Sequence, residues 1–233
     1  MIYVITHKDV LYKLPKNYAL LKVGNNSCSK YDFSDNTGDN ISDKNTSFCE
    51  LTGLYWIWKN RTIESIVGLV HYRRFFINHI HHKIDRRIPF KQRILSFRKA
   101  RRILKEYDII VPQKLFFDST VRKQYAKCHF DKDIDTVREI IDEIYPEYIQ
   151  AFDKVMNDNS IYACNMFITR FDIIDDYCLW LYSILFEAEK KIDITDYNQY
   201  QKRIFGFLAE RLFNVYCTHN SFHVYYATVH TID

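Results

Sequence analysis

The stretch Ile66-Val-Gly-Leu-Val-His-Tyr-Arg-Arg-Phe-Phe76 decides how this chain is read. A short apolar run of this kind predicts a strand buried on both faces, as in parallel sheets covered by helices. The run ends abruptly in His71, Tyr72, Arg73 and Arg74. In open α/β sheets, ligands bind just beyond the carboxyl ends of such strands. A hydrogen-bonding ring and two permanent cations therefore stand where a ligand is expected. Guanidinium forks pair with two oxygens at once and suit phosphate or pyrophosphate. The plain alternative is an ordinary strand end with solvated arginines.

At 233 residues, 47% apolar and 27% charged, the chain predicts a folded globular domain, here a single domain over residues 1–233 with a basic helical insertion at about 78–106. Only five glycines occur, and neither a G-x-G-x-x-G nor a Walker-type sequence is present. Classical dinucleotide and P-loop sites are thereby disfavoured. The six cysteines are scattered without a C-x-x-C pair, which argues for reduced thiols and against structural zinc. The chain opens directly on a strand-like run with no basic n-region, and its longest apolar run is too short to span a bilayer. A cytoplasmic protein is expected. Between Lys83 and Lys105 ten Lys/Arg face a single acid, Asp85, so the basic charge is a local patch on an otherwise acidic chain.

Working outward, Ile2–Thr6, Ala19–Val23 and Tyr107–Val111 read as further strands, as does the longer run Ile161–Thr169. Helices are expected over Ser47–Asn60, with Ser47 and Glu50 as a capping box, and over Phe90–Glu106 and Asp172–Lys191. A last helix is expected over Tyr197–Tyr216, then a closing strand at Phe222–Val229. Strands alternate with helices through the first half, which predicts an α/β layered fold with a mostly parallel sheet.

Several clusters carry candidate chemistry. The loop from Gly38 to Asn45 is dense in short polar residues. It is either a surface turn or a nucleoside clamp, with Asp39 on ribose or base and Lys44 on phosphate. Glu50 reads as a helix cap. His79, His81 and His82 invite a metal reading, but the surrounding cations oppose it. Asp131, Asp133 and Asp135 form overlapping D-x-D triplets just before a helix. Acids there favour the helix dipole for purely structural reasons, and could alternatively hold Mg or Mn. Asn165, an amide in an apolar strand, is a structural hydrogen-bonder or a sugar-hydroxyl reader. Glu210 beside Arg211 is a surface ion pair or a general base. The basic helix at 90–105 is a solvated face, a nucleic-acid contact or a membrane-surface contact.

Five segments together resemble a bacterial family associated with capsular and exopolysaccharide synthesis. They are Thr37–Asn45, Cys49–Asn60, Gly68–Phe76, Asn165–Ile168 and Gly206–Phe213, and in order and spacing they cover nearly the whole chain. The resemblance implies a GT-A-like, Rossmann-type α/β/α sandwich and a glycosyltransferase, some members of the family moving galactofuranose. On that basis the donor is a nucleotide sugar, with UDP the expected nucleotide. The resemblance implies a donor pocket from Thr6, His7, Asp39, Asn40, Lys44, His71, Tyr72, Arg73 and Arg74. Glu210 is the first choice of base and Asp131 the second, while His129, Asp131 and Asn165 contact sugars. The family's fold usually closes a strand in this region with a D-x-D; here His71-Tyr-Arg-Arg stands instead, so fixed cations replace the metal and no cofactor is expected. The acceptor is expected to be a lipid-linked saccharide or oligosaccharide, reached at the inner face of the membrane through the basic helix. The rival readings are a nucleic-acid-binding module using the Lys83–Lys105 stripe and a non-catalytic partner in a polysaccharide assembly complex.

Overall fold

The computed structural model describes residues 1–78 and 89–232. The expectations for His79, His81, His82 and the start of the basic stripe at Lys83 lie outside the described residues. The strands are β1 (Ile2–Thr6), β2 (Tyr18–Lys22), β3 (Phe33–Ser34), β4 (Ile66–His71), β5 (Arg74–Phe76), β6 (Ile109–Pro112), β7 (Leu115–Phe116), β8 (Ser160–Ile161), β9 (Phe167–Arg170), β10 (Val224–Ala227) and β11 (Val229–Thr231). The α-helices are α1 (Asn45–Phe48), α2 (Leu51–Asn60), α3 (Phe90–Arg93), α4 (Phe97–Ile103), α5 (Val121–Cys128), α6 (Asp131–Ile144), α7 (Ile149–Asn157), α8 (Phe171–Lys191) and α9 (Ile204–His219).

The main sheet runs in the order β10-β6-β9-β4-β1-β2-β3. β2, β1 and β4 are mutually parallel, as are β6 and β10, while β9 lies antiparallel between β4 and β6. The fold is thus mixed α/β around a mostly parallel central sheet, as the sequence predicts. Alternation along each strand builds two cores. Tyr3, Ile5, Val67, Leu69 and Phe167 face a thick layer that includes α2, α8 and α9. Ile2, Val4, Val70, Ile110 and Ile168 face a thinner layer made by β5 and residues 90–104. Gly68 sits where the strands crowd: a Cβ there would meet Ile168 Cγ1 and Ile2 Cγ1, both at 2.9 Å.

Four expected elements are redrawn. The helix from Ser47 to Asn60 breaks in two at Cys49, whose φ of +53° ends α1 and re-aims the chain into α2. Ser47 Oγ bonds the Lys44 carbonyl, and Glu50 makes no capping bond, so the capping box does not form. The basic helix of 90–105 is two short helices, because Ile94 bridges to Ile77 and enters the core with Leu95. Ser96 then caps α4 by accepting from the Lys99 amide. The single strand of 161–169 is split into β8 and β9 by Cys164 and Asn165, both at positive φ. The closing strand becomes β10 and β11, and β11 returns to pair with β5. None of the six cysteines is in a disulfide. Among the described residues no helix is long and apolar enough to cross a membrane.

Candidate active site

The carboxyl ends of β1 and β4 lie side by side, with Ile5 opposite His71. Tyr72 and Arg73 form the two-residue turn between β4 and β5, and His71 pairs with Arg74 across it. The Ile232 amide donates to the Arg73 carbonyl, and Tyr12 Oη donates to the Tyr72 carbonyl, so the turn is held from two sides. Thr6 is fully buried and its hydroxyl bonds both the amide and the carbonyl of Lys8. It therefore shapes the turn that presents His7 and Lys8 and does not line a pocket itself. The His7 ring meets Tyr72 edge-on at 5.1 Å. Its pKa is lowered, first by desolvation and then by the charges of Lys8, Arg73 and Arg203. All three cations thus act on the same imidazole. Among the described residues no carboxylate forms an ion pair with Lys8, Arg73, Arg74 or Arg203.

Because β9 is antiparallel, its amino end arrives at the same edge. His71 Nε2 lies 2.5 Å from the Cys164 carbonyl oxygen. Asn165, 2% exposed at φ +46°, donates from Nδ2 to Glu50 Oε1 at 2.7 Å and to the Gly206 carbonyl at 3.2 Å. Both partners are acceptors, so the amide orientation is fixed. Asn165 Oδ1 is buried and receives no hydrogen bond. Helix α9 contributes Glu210, whose Oε1 accepts from the Cys164 amide at 2.8 Å and whose Oε2 pairs with Arg211 at 3.1 Å. Arg211 is 4% exposed and Glu210 is half-buried, so the pair is largely withdrawn from the surface where the sequence allowed it. Burial raises the Glu210 pKa above the ordinary glutamate value; Arg211 opposes that, and the Glu50 charge adds to it. At the entrance to α9, Arg203 donates to Cys49 Sγ at 3.3 Å. The half-buried thiol of Cys49 is pushed up to about 11, chiefly by desolvation, so it is no nucleophile at neutral pH.

Other expected residues lie elsewhere. Asp39 accepts from Tyr55 Oη, and its amide and carbonyl bond Asn60 at the far end of α2. That end joins the loop to the amino end of β4, on the opposite side of the sheet from His71. Asn40 closes its own turn through Gly38 and Ser42. Lys44 Nζ is taken by Glu189 at 2.8 Å. The loop from Gly38 to Lys44 is thus a structural turn, because its polar groups satisfy one another and α2. Asp131 is gripped by both Arg122 nitrogens at 3.0 and 2.8 Å. Asp133 is buried and accepts from Tyr197 Oη at 2.8 Å. The two carboxylates are committed to different partners and do not fit Mg or Mn. Among the described residues no group of three His, Cys, Asp or Glu is placed to hold a metal. His129 lies beside the site, stacked on Phe207 of α9. A separate concavity of about 420 Å³ opens near Tyr162, Cys217 and Tyr226, and none of the expected site residues lines it.

Sequence reasoning missed Lys8 and Arg203 and took Glu50 for a cap. Only the positive φ of Cys49, invisible in a residue pattern, turns Glu50 toward Asn165.

Fold and site together define an α/β protein whose central sheet ends in a cation-rich turn near two half-buried carboxylates, Glu50 and Glu210. The chain belongs to the family described as a domain of unknown function, DUF4422, whose profile matches residues 1–221. Its structure is similar to the apo structure of the WbbM bifunctional glycosyltransferase, with a TM-score of 0.87 and 30% sequence identity. The match covers 100% of this chain and 45% of that one, so the chain spans less than half the length of that protein. A search of curated proteins finds no match.

Proposed function

We propose that the chain is a glycosyltransferase that moves a sugar from a nucleoside-diphosphate donor to a hydroxyl of a saccharide acceptor. The observation that carries this reading is the turn after β4, where Arg73 and Arg74 have no ion-paired carboxylate among the described residues and His71 meets Cys164, whose amide binds Glu210 and whose neighbour Asn165 binds Glu50. The similarity to a glycosyltransferase supports it.

In this reading the cations bind the diphosphate and neutralise the charge that grows on it as the glycosidic bond breaks, the electrostatic task a metal performs in other enzymes. His71 and Tyr72 frame that site. Glu50 takes the proton of the acceptor hydroxyl: its Oε1 is held by Asn165, and no donor bonds Oε2 among the described residues. Glu210, the first choice from sequence, has both oxygens held, so its role becomes positioning Cys164 and keeping negative charge beside Glu50. Asp131, tied to Arg122, drops out as a base. The nucleotide is UDP and the sugar a hexose, galactofuranose included. The acceptor is lipid-linked or an oligosaccharide of capsule, exopolysaccharide or O-antigen assembly. The exposed cations Lys91, Arg98, Arg101, Arg102 and Lys105 would rest on an anionic membrane.

The test is transfer of radiolabel from UDP-sugars to lipid-linked acceptors, with and without chelator. Absence of both transfer and donor hydrolysis with every common donor would sink the enzyme reading. Loss of activity on chelation would remove the role given to the fixed cations. Glu50→Gln should abolish transfer while leaving UDP binding intact.

A further inference from the structure

The diphosphate site leaves unused a set of rings that opens beside it. Tyr200 is 53% exposed. Its ring lies 5.2 Å from Phe207, and the His129 imidazole stacks on Phe207 at 4.1 Å and 27°. The His129 and Tyr200 rings are also nearly parallel, 17° apart with centroids at 5.9 Å. The stack is continuous with the proposed reaction centre. The Arg203 guanidinium stands 5.5 Å over the Phe207 ring, and Glu210 follows Phe207 by three residues on the same face of α9.

The polar group of this set is oriented. Gln201 Nε2 donates to the Cys128 carbonyl at 2.6 Å, which turns its Oε1 toward His129 Nδ1 at 2.9 Å. An amide oxygen only accepts, so Nδ1 carries the hydrogen. Burial lowers the pKa of His129, with the Arg211 charge adding to it and the Gln201 bond opposing. The neutral ring is thereby favoured, and Nε2 offers a lone pair that no protein donor takes among the described residues.

We propose that Tyr200, Phe207 and His129 form a sugar-binding platform on which one ring of the acceptor glycan lies, its C–H face on Tyr200 and a hydroxyl donating to His129 Nε2. The C–H face of a sugar is weakly positive and matches the negative face of an aromatic ring. A lone acceptor suits a hydroxyl. Uracil could meet it only through its single N3–H, so uridine is the competing occupant that the test must include. Assigning the bound sugar as acceptor rests on the transfer reading above; the binding itself does not.

Saturation-transfer NMR on the intact chain, with methyl β-galactopyranoside and methyl β-glucopyranoside as probes, tests this directly. At least one glycoside should receive saturation from the aromatic protons. Tyr200→Ala should weaken that binding about tenfold, and Tyr200→Phe should keep it. UDP affinity should stay within about twofold of wild type in both variants, because Tyr200 carries no cation and bonds the Arg203 amide through its backbone carbonyl, which both variants keep. No saturation of either glycoside, an unchanged Tyr200→Ala, or displacement of the glycoside by free uridine would each overturn the platform. If no donor supports transfer but glycoside binding persists and depends on Tyr200, the platform stands and the catalytic reading falls. If transfer proceeds and Tyr200→Ala leaves the acceptor KM unchanged, the platform falls alone.

Discussion

Replacing Asn165 by alanine should be among the costliest single changes outside the apolar core. The side chain donates two hydrogen bonds, at 2.7 Å to Glu50 and 3.2 Å to the Gly206 carbonyl, from a position that is 2% exposed. Each is worth about 1 kcal/mol net, and more for the one to a carboxylate. The backbone adds a further cost, since φ is +46° and asparagine tolerates that region better than alanine by about 1 kcal/mol. The sum is about 3 kcal/mol, or about 6–12 °C in Tm for a chain of this size. Asn165→Gly loses the same bonds but relieves the backbone, so it should be the less damaging of the two by about 1 kcal/mol. Urea denaturation of the three proteins, followed by circular dichroism, measures both differences. Equal stabilities for the alanine and glycine variants would refute the backbone part. A cost under about 1 kcal/mol for alanine would refute the claim that these bonds hold the site together.

Arg203→Ala should weaken UDP binding by about tenfold to a hundredfold, with a shallower salt dependence, measured by calorimetry at two ionic strengths. Arg122→Ala should leave transfer unchanged and cost at most about 1 kcal/mol, since its partners Asp131 and Asp135 are half exposed; a collapse of activity would return Asp131 to the chemistry. Burial raises the pKa of Glu210 in the folded chain, so folding favours its protonated form and stability should fall as pH rises from the ordinary glutamate range through that raised value. Glu210→Gln should flatten that part of a Tm–pH profile; an unchanged slope would refute the burial of this carboxyl as its cause. Gly68→Ala should cost about 1–3 kcal/mol in a melt, because its Cβ would stand 2.9 Å from two branched isoleucine stems.

The strands were the legible part of this fold. Ile2–Thr6 and Ile66–Val70 follow from unbroken apolar runs, and α8 from a long apolar helix closed by Lys190 and Lys191. What hid from the sequence was every point where single residues leave the common backbone regions. Cys49 splits one expected helix, and the pair Cys164–Asn165 splits one expected strand. Those same residues bring Glu50 and Asn165 into the site, so the errors of secondary structure and of site composition share a cause. The hairpin at His71–Arg74 could be read because its cations adjoin one another in the chain. Lys8 and Arg203 could not, since their approach to it depends on the register of β1 and the entry angle of α9. Asp39 and Asn40 were misplaced for the converse reason: a polar turn looks alike whether it faces a ligand or Asn60.

The reversed strand β9 has a further consequence for how the chain is made. β9 fills the place between β4 and β6, so until residue 170 is synthesised one edge of β4 has no partner. At about 5–20 residues per second, the hundred or so residues after β4 take about 5–20 s to emerge. For that time a fully buried strand of the finished protein shows an unpaired apolar edge, the kind of template on which nascent chains self-associate. Covering that edge and delivering Asn165 to Glu50 are one event, while the Gly206 carbonyl and Glu210 that complete the same cluster arrive only with α9, more than thirty residues later.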